Sequence, residues 1–186
     1  MSPRVFGKPI RRNEDERLLK GLGSYVDDIS APNSAHVAFL RSPEAHALIV
    51  KLDVSRAREH PGVVAVYTHT DLGEHDIELP LMIPHPCMPY PKTQRLLAHD
   101  EVHYVGQTIA MVVAESRYVA EDALELIELD YDPLPAVVDI EAALEDGASK
   151  THTDSPGNVG AHLEQKVGDP DAAFREADVV FSERYS

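Results

Sequence analysis

The chain has 186 residues, 43% of them hydrophobic and 26% charged, a composition that suits a globular protein with one substantial domain, or a domain and an arm. Its 32 acidic residues outnumber 17 basic ones, for a formal net charge of −15, and the acids are spread along the sequence. Such a surface repels phosphate backbones and anionic headgroups, so neither nucleic acid nor membrane insertion is expected. Cys87 is the single cysteine, which rules out an intrachain disulfide and any cysteine-based zinc or iron–sulfur centre. The opening residues lack the apolar core of a signal peptide. The longest apolar run, Ile109–Ala114, falls far short of the roughly 20 residues that span a bilayer. A cytoplasmic location is the expectation.

Taken in chain order, residues 1–20 mix charge with isolated apolar residues and read as an extended arm. Its basic residues Lys8, Arg11, Arg12, Arg17 and Lys20 suit a subunit or domain contact. Gly21 and Gly23 mark a turn. Ala35–Arg41 and Ala47–Val54 read as strands around a Ser42-Pro43 break. In the second, Leu48, Val50, Leu52 and Val54 share one face by the period of two. Ser55 is placed as the cap of a short helix that Pro61-Gly62 stops, and Val63–Thr68 is a third strand.

Between Asp71 and Arg95 the periodicity disappears, and five prolines, Pro80, Pro84, Pro86, Pro89 and Pro91, exclude regular structure through much of the stretch. The stretch "LPLMIPHPCMPYP" is apolar and aromatic, which argues against simple disorder. Order resumes with a strand over His103–Ala114. A helix starts near Ser116, with Val119, Ala120, Ala123, Leu124 and Ile127 as its apolar stripe. Leu129 and Tyr131 lie on a strand that Pro133 and Pro135 end. Asp139 caps another short helix ending at Gly147. "KTHTDSPGN" is a loop, followed by a strand around Val167, a helix opened by Asp169-Pro170 and a strand over Val179–Tyr185. Strands and helices without regular alternation indicate an α+β fold.

No GxGxxG, P-loop, HExxH or GxSxG motif is present, so no nucleotide, zinc-protease or hydrolase site is announced. His69, His75, His85, His99 and His103 surround or occupy the long loop, yet no pair has a dependable helical spacing, and solvated or packing histidines are expected. His152 with Asp154 is a weaker metal signal still. The carboxylate pairs Asp27-Asp28 and Glu121-Asp122 are explained by a turn and by a solvated helix face. Ser42 with His46 is no more than a serine near a histidine. Gly106-Gln107 stands where a cofactor loop might begin, but it reads as the glycine kink by which a strand turns into a core.

Four stretches together resemble one family: "GKPIRRNEDERLLKGLGSYVDDI", "FLRSPEAHALIVKLDVSRAREHPGVVAVYTHTDL", "HYVGQTIAMVVAESRYVAEDALELIELDYDPLPAVVD" and "GDPDAAFREADVVFSERY". They are similar to the start of the large subunit of molybdenum hydroxylases, the family of carbon monoxide dehydrogenases, aldehyde oxidases and xanthine dehydrogenases. The resemblance implies an α/β-hammerhead, with a mixed sheet and short helices. It implies an arm over residues 1–20, the hammerhead over 21–147, and a linker, short helix and strand over 148–186 leading toward a molybdopterin-binding domain. It further implies molybdopterin on a partner subunit or domain, with iron–sulfur clusters and FAD on others, and no catalytic, cofactor or metal residue in this chain.

By position, Leu81, Met82, Ile83 and His85 are expected to line a substrate funnel or an interface. The expected role is structural, in aldehyde, N-heterocycle or CO oxidation, and inactive alone. The alternative is a free-standing binding or scaffold protein that kept the fold without the enzyme. A terminal strand left unpaired is expected to favour self-association of the isolated chain.

Overall fold

A computed structural model describes residues 6–88 and 90–185, so the first five residues of the expected arm lie outside the described residues. Contacts group the chain into two units, residues 1–35 and 36–186. In the leading unit the stretch read as extended carries a helix, α1, over Asp15–Leu19. Its first turn is acidic, and Lys20 reaches back to Glu16 at 2.5 Å, two local interactions that favour helix over extended chain. A 3-10 turn follows at Val26–Asp28, where the Tyr25 N–H donates to Asp28 Oδ2 at 2.9 Å. This turn accounts for Asp28.

The second unit holds six strands, β1 His36–Arg41, β2 Ala47–Asp53, β3 Val63–Tyr67, β4 Glu101–Val102, β5 Thr108–Ala114 and β6 Glu128–Pro133. Three helices accompany them: α2 Ser55–Arg58, α3 Arg117–Leu124 and α4 Pro170–Glu176. The fold is α+β. Its strands form two three-stranded sheets, β1-β5-β3 and β4-β2-β6, and every described pairing is antiparallel where a mixed sheet was implied.

β5 sits at the centre of the first sheet and is buried from Ile109 to Ala114 at alternate and adjacent positions. Val112 and Ala114 join Val54, Ala57, Val66, Ala120 and Ala123 in one core. Ile109 joins Ala47, Ala98 and Val102 in the other. One strand therefore supplies both cores. The Ser116 hydroxyl accepts from the Val119 N–H at 3.2 Å, the expected cap of α3. Ala120 and Ala123 are fully buried there, their small side chains letting the helix backbone approach the sheet.

Several expected elements change. Asp53, not Ser55, caps α2, its Oδ1 accepting from the Ser55 N–H at 2.9 Å. β2 shifts register between Ile49 and Lys51, so Val50 is 67% exposed instead of sharing the Leu48–Leu52 face. A bulge changes the phase of the side chains beyond it. Asp139 Oδ1 accepts from the N–H groups of Glu141 and Ala142, each at 2.9 Å, but what it caps is a 3-10 turn at Ala142–Leu144. α4 opens as expected, with Pro170 in its first turn and Asp169 Oδ1 accepting from the Ala172 N–H at 3.0 Å.

The expected strands around Val167 and over Val179–Tyr185 do not form among the described residues. Their sequences alternate suitably, but a strand exists only where a neighbour offers backbone donors and acceptors. With no strand at Val179–Tyr185, the expected unpaired sheet edge does not arise there.

His103–Ala114 also divides. β5 begins only at Thr108, after the two-residue β4 and a turn. At that turn Gly106 has φ +91°, a region that L side chains rarely adopt. Its N–H donates to the Ser42 carbonyl at 2.8 Å, and the Ser42 N–H returns a bond to the Gln107 carbonyl at 2.9 Å. Gln107 Oε1 accepts from the His103 N–H at 2.7 Å. Gly106-Gln107 is a threshold into the buried strand.

Candidate functional site

A cleft of about 450 Å³ opens beside β4, between the end of the long loop and residues 152–154. Lys92, Arg95, His99, Glu101, His103 and His152 are among the residues that line it. Its two lysine and arginine cations are already matched within the chain. Lys92 Nζ donates to Asp154 at 2.5 Å, and Arg95 stands 3.5 Å from Asp76 and 4.0 Å from Glu78.

On one side of this region a hydrogen-bonded latch gathers around His46, 6% exposed, and Glu101, whose side chain is 13% exposed. His46 Nδ1 faces the Pro135 carbonyl at 3.0 Å and Nε2 faces Glu101 Oε1 at 2.6 Å. Glu101 Oε2 accepts from the Thr153 hydroxyl at 2.6 Å, and Oε1 from the Thr153 N–H at 3.2 Å. His103 Nδ1 faces the Thr151 carbonyl at 2.9 Å, with its ring centroid 3.9 Å from that of His152. The network ties β4 to the start of β2, to the segment after β6 and to the loop at 151–153. Its polar groups largely satisfy one another, as buried polar groups must.

The latch makes stability depend on pH. Burial, then His103 and Lys92, hold the His152 imidazole below its ordinary 6.5. Burial pushes the Glu101 carboxyl up, but hydrogen bonds from Thr153 and His46 and the nearby His103 outweigh it and leave it below 4.5. Each group binds fewer protons folded than unfolded, so its contribution is complete above these ordinary values and is lost as pH falls. Urea midpoints are expected to hold at about pH 8, to decline below about 6.5 through His152, and to drop further below about 4.5 through Glu101. A midpoint unchanged down to about pH 4 would contradict this assignment.

A second cluster joins His69, Asp76 and His99. His69 follows β3, Asp76 follows the 3-10 turn Gly73–His75, and His99 precedes β4. Burial, then His99, keeps the His69 imidazole below its ordinary 6.5.

The residues picked out by position in the sequence lie elsewhere. Met82 is 96% exposed, Ile83 and His85 are exposed, and Leu81 is half-buried; none of the four lines the cleft. His85 Nδ1 accepts from the Cys87 N–H at 3.1 Å. The Ser42 hydroxyl is taken up by the Glu44 backbone, with both bonds at 3.0 Å, which accounts for it without nucleophilic chemistry. Glu121 and Asp122 are exposed on α3. Glu101, Asp76 and Thr153 were not singled out in the sequence. Their partners lie far along the chain, with Glu101 55 residues from His46, and no local pattern records such a separation.

Residues 20–135 match the family profile described as "Aldehyde oxidase and xanthine dehydrogenase, a/b hammerhead domain". The chain is 40% identical over 182 residues to the nicotine 6-hydroxylase large subunit of Paenarthrobacter nicotinovorans, a match covering 97% of this chain and 22% of that protein. It is 38% identical over 194 residues to the carbon monoxide dehydrogenase large chain of Afipia carboxidovorans, covering 97% of this chain and 23% of that one. Among solved structures, quinoline 2-oxidoreductase from Pseudomonas putida 86 aligns with a TM-score of 0.70 at 42% identity, over 83% of this chain and 20% of that chain. The aldehyde oxidoreductase from Desulfovibrio gigas aligns with a TM-score of 0.73 at 29% identity, over 90% and 19%. The chain therefore spans about a fifth of the length of these relatives. With its two antiparallel sheets and short helices, the chain belongs to the aldehyde oxidase and xanthine dehydrogenase α/β-hammerhead family.

Proposed function

We propose that this chain serves as the hammerhead portion of a molybdenum-dependent hydroxylase or dehydrogenase that oxidises an aldehyde, a nitrogen heterocycle or carbon monoxide. Its role in that enzyme is structural, with the chemistry carried on other domains or subunits. The match of residues 20–135 to the family profile carries the reading. Relatives several times longer than this chain, named as large subunits or large chains, support it.

The described residues do not fit a molybdopterin in the cleft. A phosphorylated pterin needs cations free to meet it, and Lys92 and Arg95 are paired with the chain's own carboxylates. With Cys87 as the sole thiol, iron–sulfur clusters also belong to other domains or subunits, and the same assignment is made for the flavin. Residues 1–20 and 148–186 are taken as the arm and the lead toward the cofactor-bearing domain.

Leu81, Met82, Ile83 and His85 are assigned to an interface or the border of a substrate funnel. Exposed apolar residues on a proline-rich loop suit burial against a neighbour. Among the described residues no helix is long and apolar enough to cross a membrane. A cytoplasmic setting is proposed on the single cysteine.

The test is co-expression of the tagged chain in a host that makes molybdopterin. A large molybdopterin-binding chain is expected to co-purify. The chain isolated from it is expected to hold no stoichiometric molybdenum and to oxidise none of the three substrate classes. Stoichiometric molybdenum in the isolated chain would overturn the reading.

A further inference from the structure

The geometry points to a divalent transition-metal site of the zinc class, formed by His69, Asp76 and His99, that clips together the two ends of the long loop between β3 and β4. Asp76 Oδ2 lies 3.5 Å from His99 Nε2 and 3.9 Å from His69 Nδ1. The three prospective ligand atoms all lie within 4.8 Å of one another. Around a tetrahedral metal with bonds of about 2.0–2.2 Å, neighbouring ligand atoms are roughly 3.3–3.5 Å apart. Binding thus requires displacements of only a few tenths of an ångström at the carboxylate. The same distances are too long for good hydrogen bonds, so hydrogen bonding does not explain why these side chains converge.

The histidine latch around Glu101 provides the contrast. There the His46–Glu101 distance is 2.6 Å, shorter than two ligands of one metal stand apart, and Thr153 occupies the carboxylate further. At the second cluster, by comparison, Asp76 Oδ1 is buried with no hydrogen-bond partner. Its nearest cation, Arg95, stands at 3.5 Å and spends a hydrogen bond on the Asp76 carbonyl at 3.0 Å. Arg95 opposes a bound cation, but Glu78 lies 4.0 Å from it and offsets its charge.

His99 also has the support expected of a ligand. Its Nδ1 faces Asp100 Oδ2 at 2.8 Å, the carboxylate–histidine arrangement that orients an imidazole toward a metal and raises its basicity. Two imidazoles and one carboxylate form a donor set suited to zinc and neighbouring divalent ions. The clip would join a residue before the loop, one near its start and one after it, and cross-linking distant residues is where closure gains most in principle.

The experiment uses the chain in the assembly in which it purifies, treated with EDTA, repleted with zinc chloride and analysed for elements after gel filtration. One zinc per chain is expected beyond what the His69→Gln or Asp76→Asn assemblies retain, with affinity for added zinc lowered at least about tenfold in each. Asp100 is 81% exposed, so Asp100→Asn does not threaten folding and is still expected to weaken zinc binding by about tenfold. His103→Gln, in the other cluster, is expected to bind as the parent does. The proposal is overturned if the parent takes up no zinc, if Asp100→Asn and Asp76→Asn bind like the parent, or if His103→Gln is the variant that loses the metal. None of these readings depends on molybdenum or on catalysis, so they stand or fall apart from the proposed enzymatic role.

Discussion

His46→Ala is expected to lower the unfolding free energy by about 3 kcal/mol, the scale for breaking a buried pair while leaving one charge behind. The ring holds two acceptors at once, the Pro135 carbonyl at 3.0 Å and Glu101 Oε1 at 2.6 Å. Truncation strands both. Glu101 keeps its Thr153 hydroxyl, which places the loss at the lower end of the range for such pairs. Urea unfolding at neutral pH measures it. A loss below about 1 kcal/mol would mean that the ring acts only as filler. The acid-dependent part of stability assigned to Glu101 should shrink in the same variant, because one of the bonds that depress its carboxyl is gone.

Ile109→Ala is expected to cost about 3–4 kcal/mol in the same measurement. Ile109 is fully buried on the central strand β5, against Ala47, Ala98 and Val102. Two of those neighbours are alanines and cannot extend into the space left behind. The surrounding backbone belongs to paired strands, which relax little, so a cavity remains. A cost nearer 1 kcal/mol would show that the site collapses around the smaller side chain. Because Val112 of the same strand serves the other core, Val112→Ala should reproduce much of the effect from the opposite side of the fold.

Much of the fold was legible because its signals are local. The Ser116 cap, the small-residue stripe of α3 and the Asp169-Pro170 start of α4 each act within a few residues, and each is present. The misplacements share a different cause. Val50 was assigned by strict alternation, and a bulge removed it from its face. Val179–Tyr185 alternates well, yet a ladder needs a neighbour that no stretch of sequence contains within itself. At α2 the cap moved by two residues, from Ser55 to Asp53, because either side chain satisfies the same kind of donor.

The sequence by itself determined the acidic surface, the exclusion of cysteine-based centres, the α+β class and the family. These follow from composition and from many short patterns read in order. Only the tertiary structure decided that β5 feeds two cores, that His46 meets Glu101, and that His69 and Asp76 meet His99 across the long loop. The physical reason is separation along the chain. Local hydrogen-bond and packing preferences extend over about four residues, whereas these contacts are made by strands and loop ends brought together only when the sheets pair.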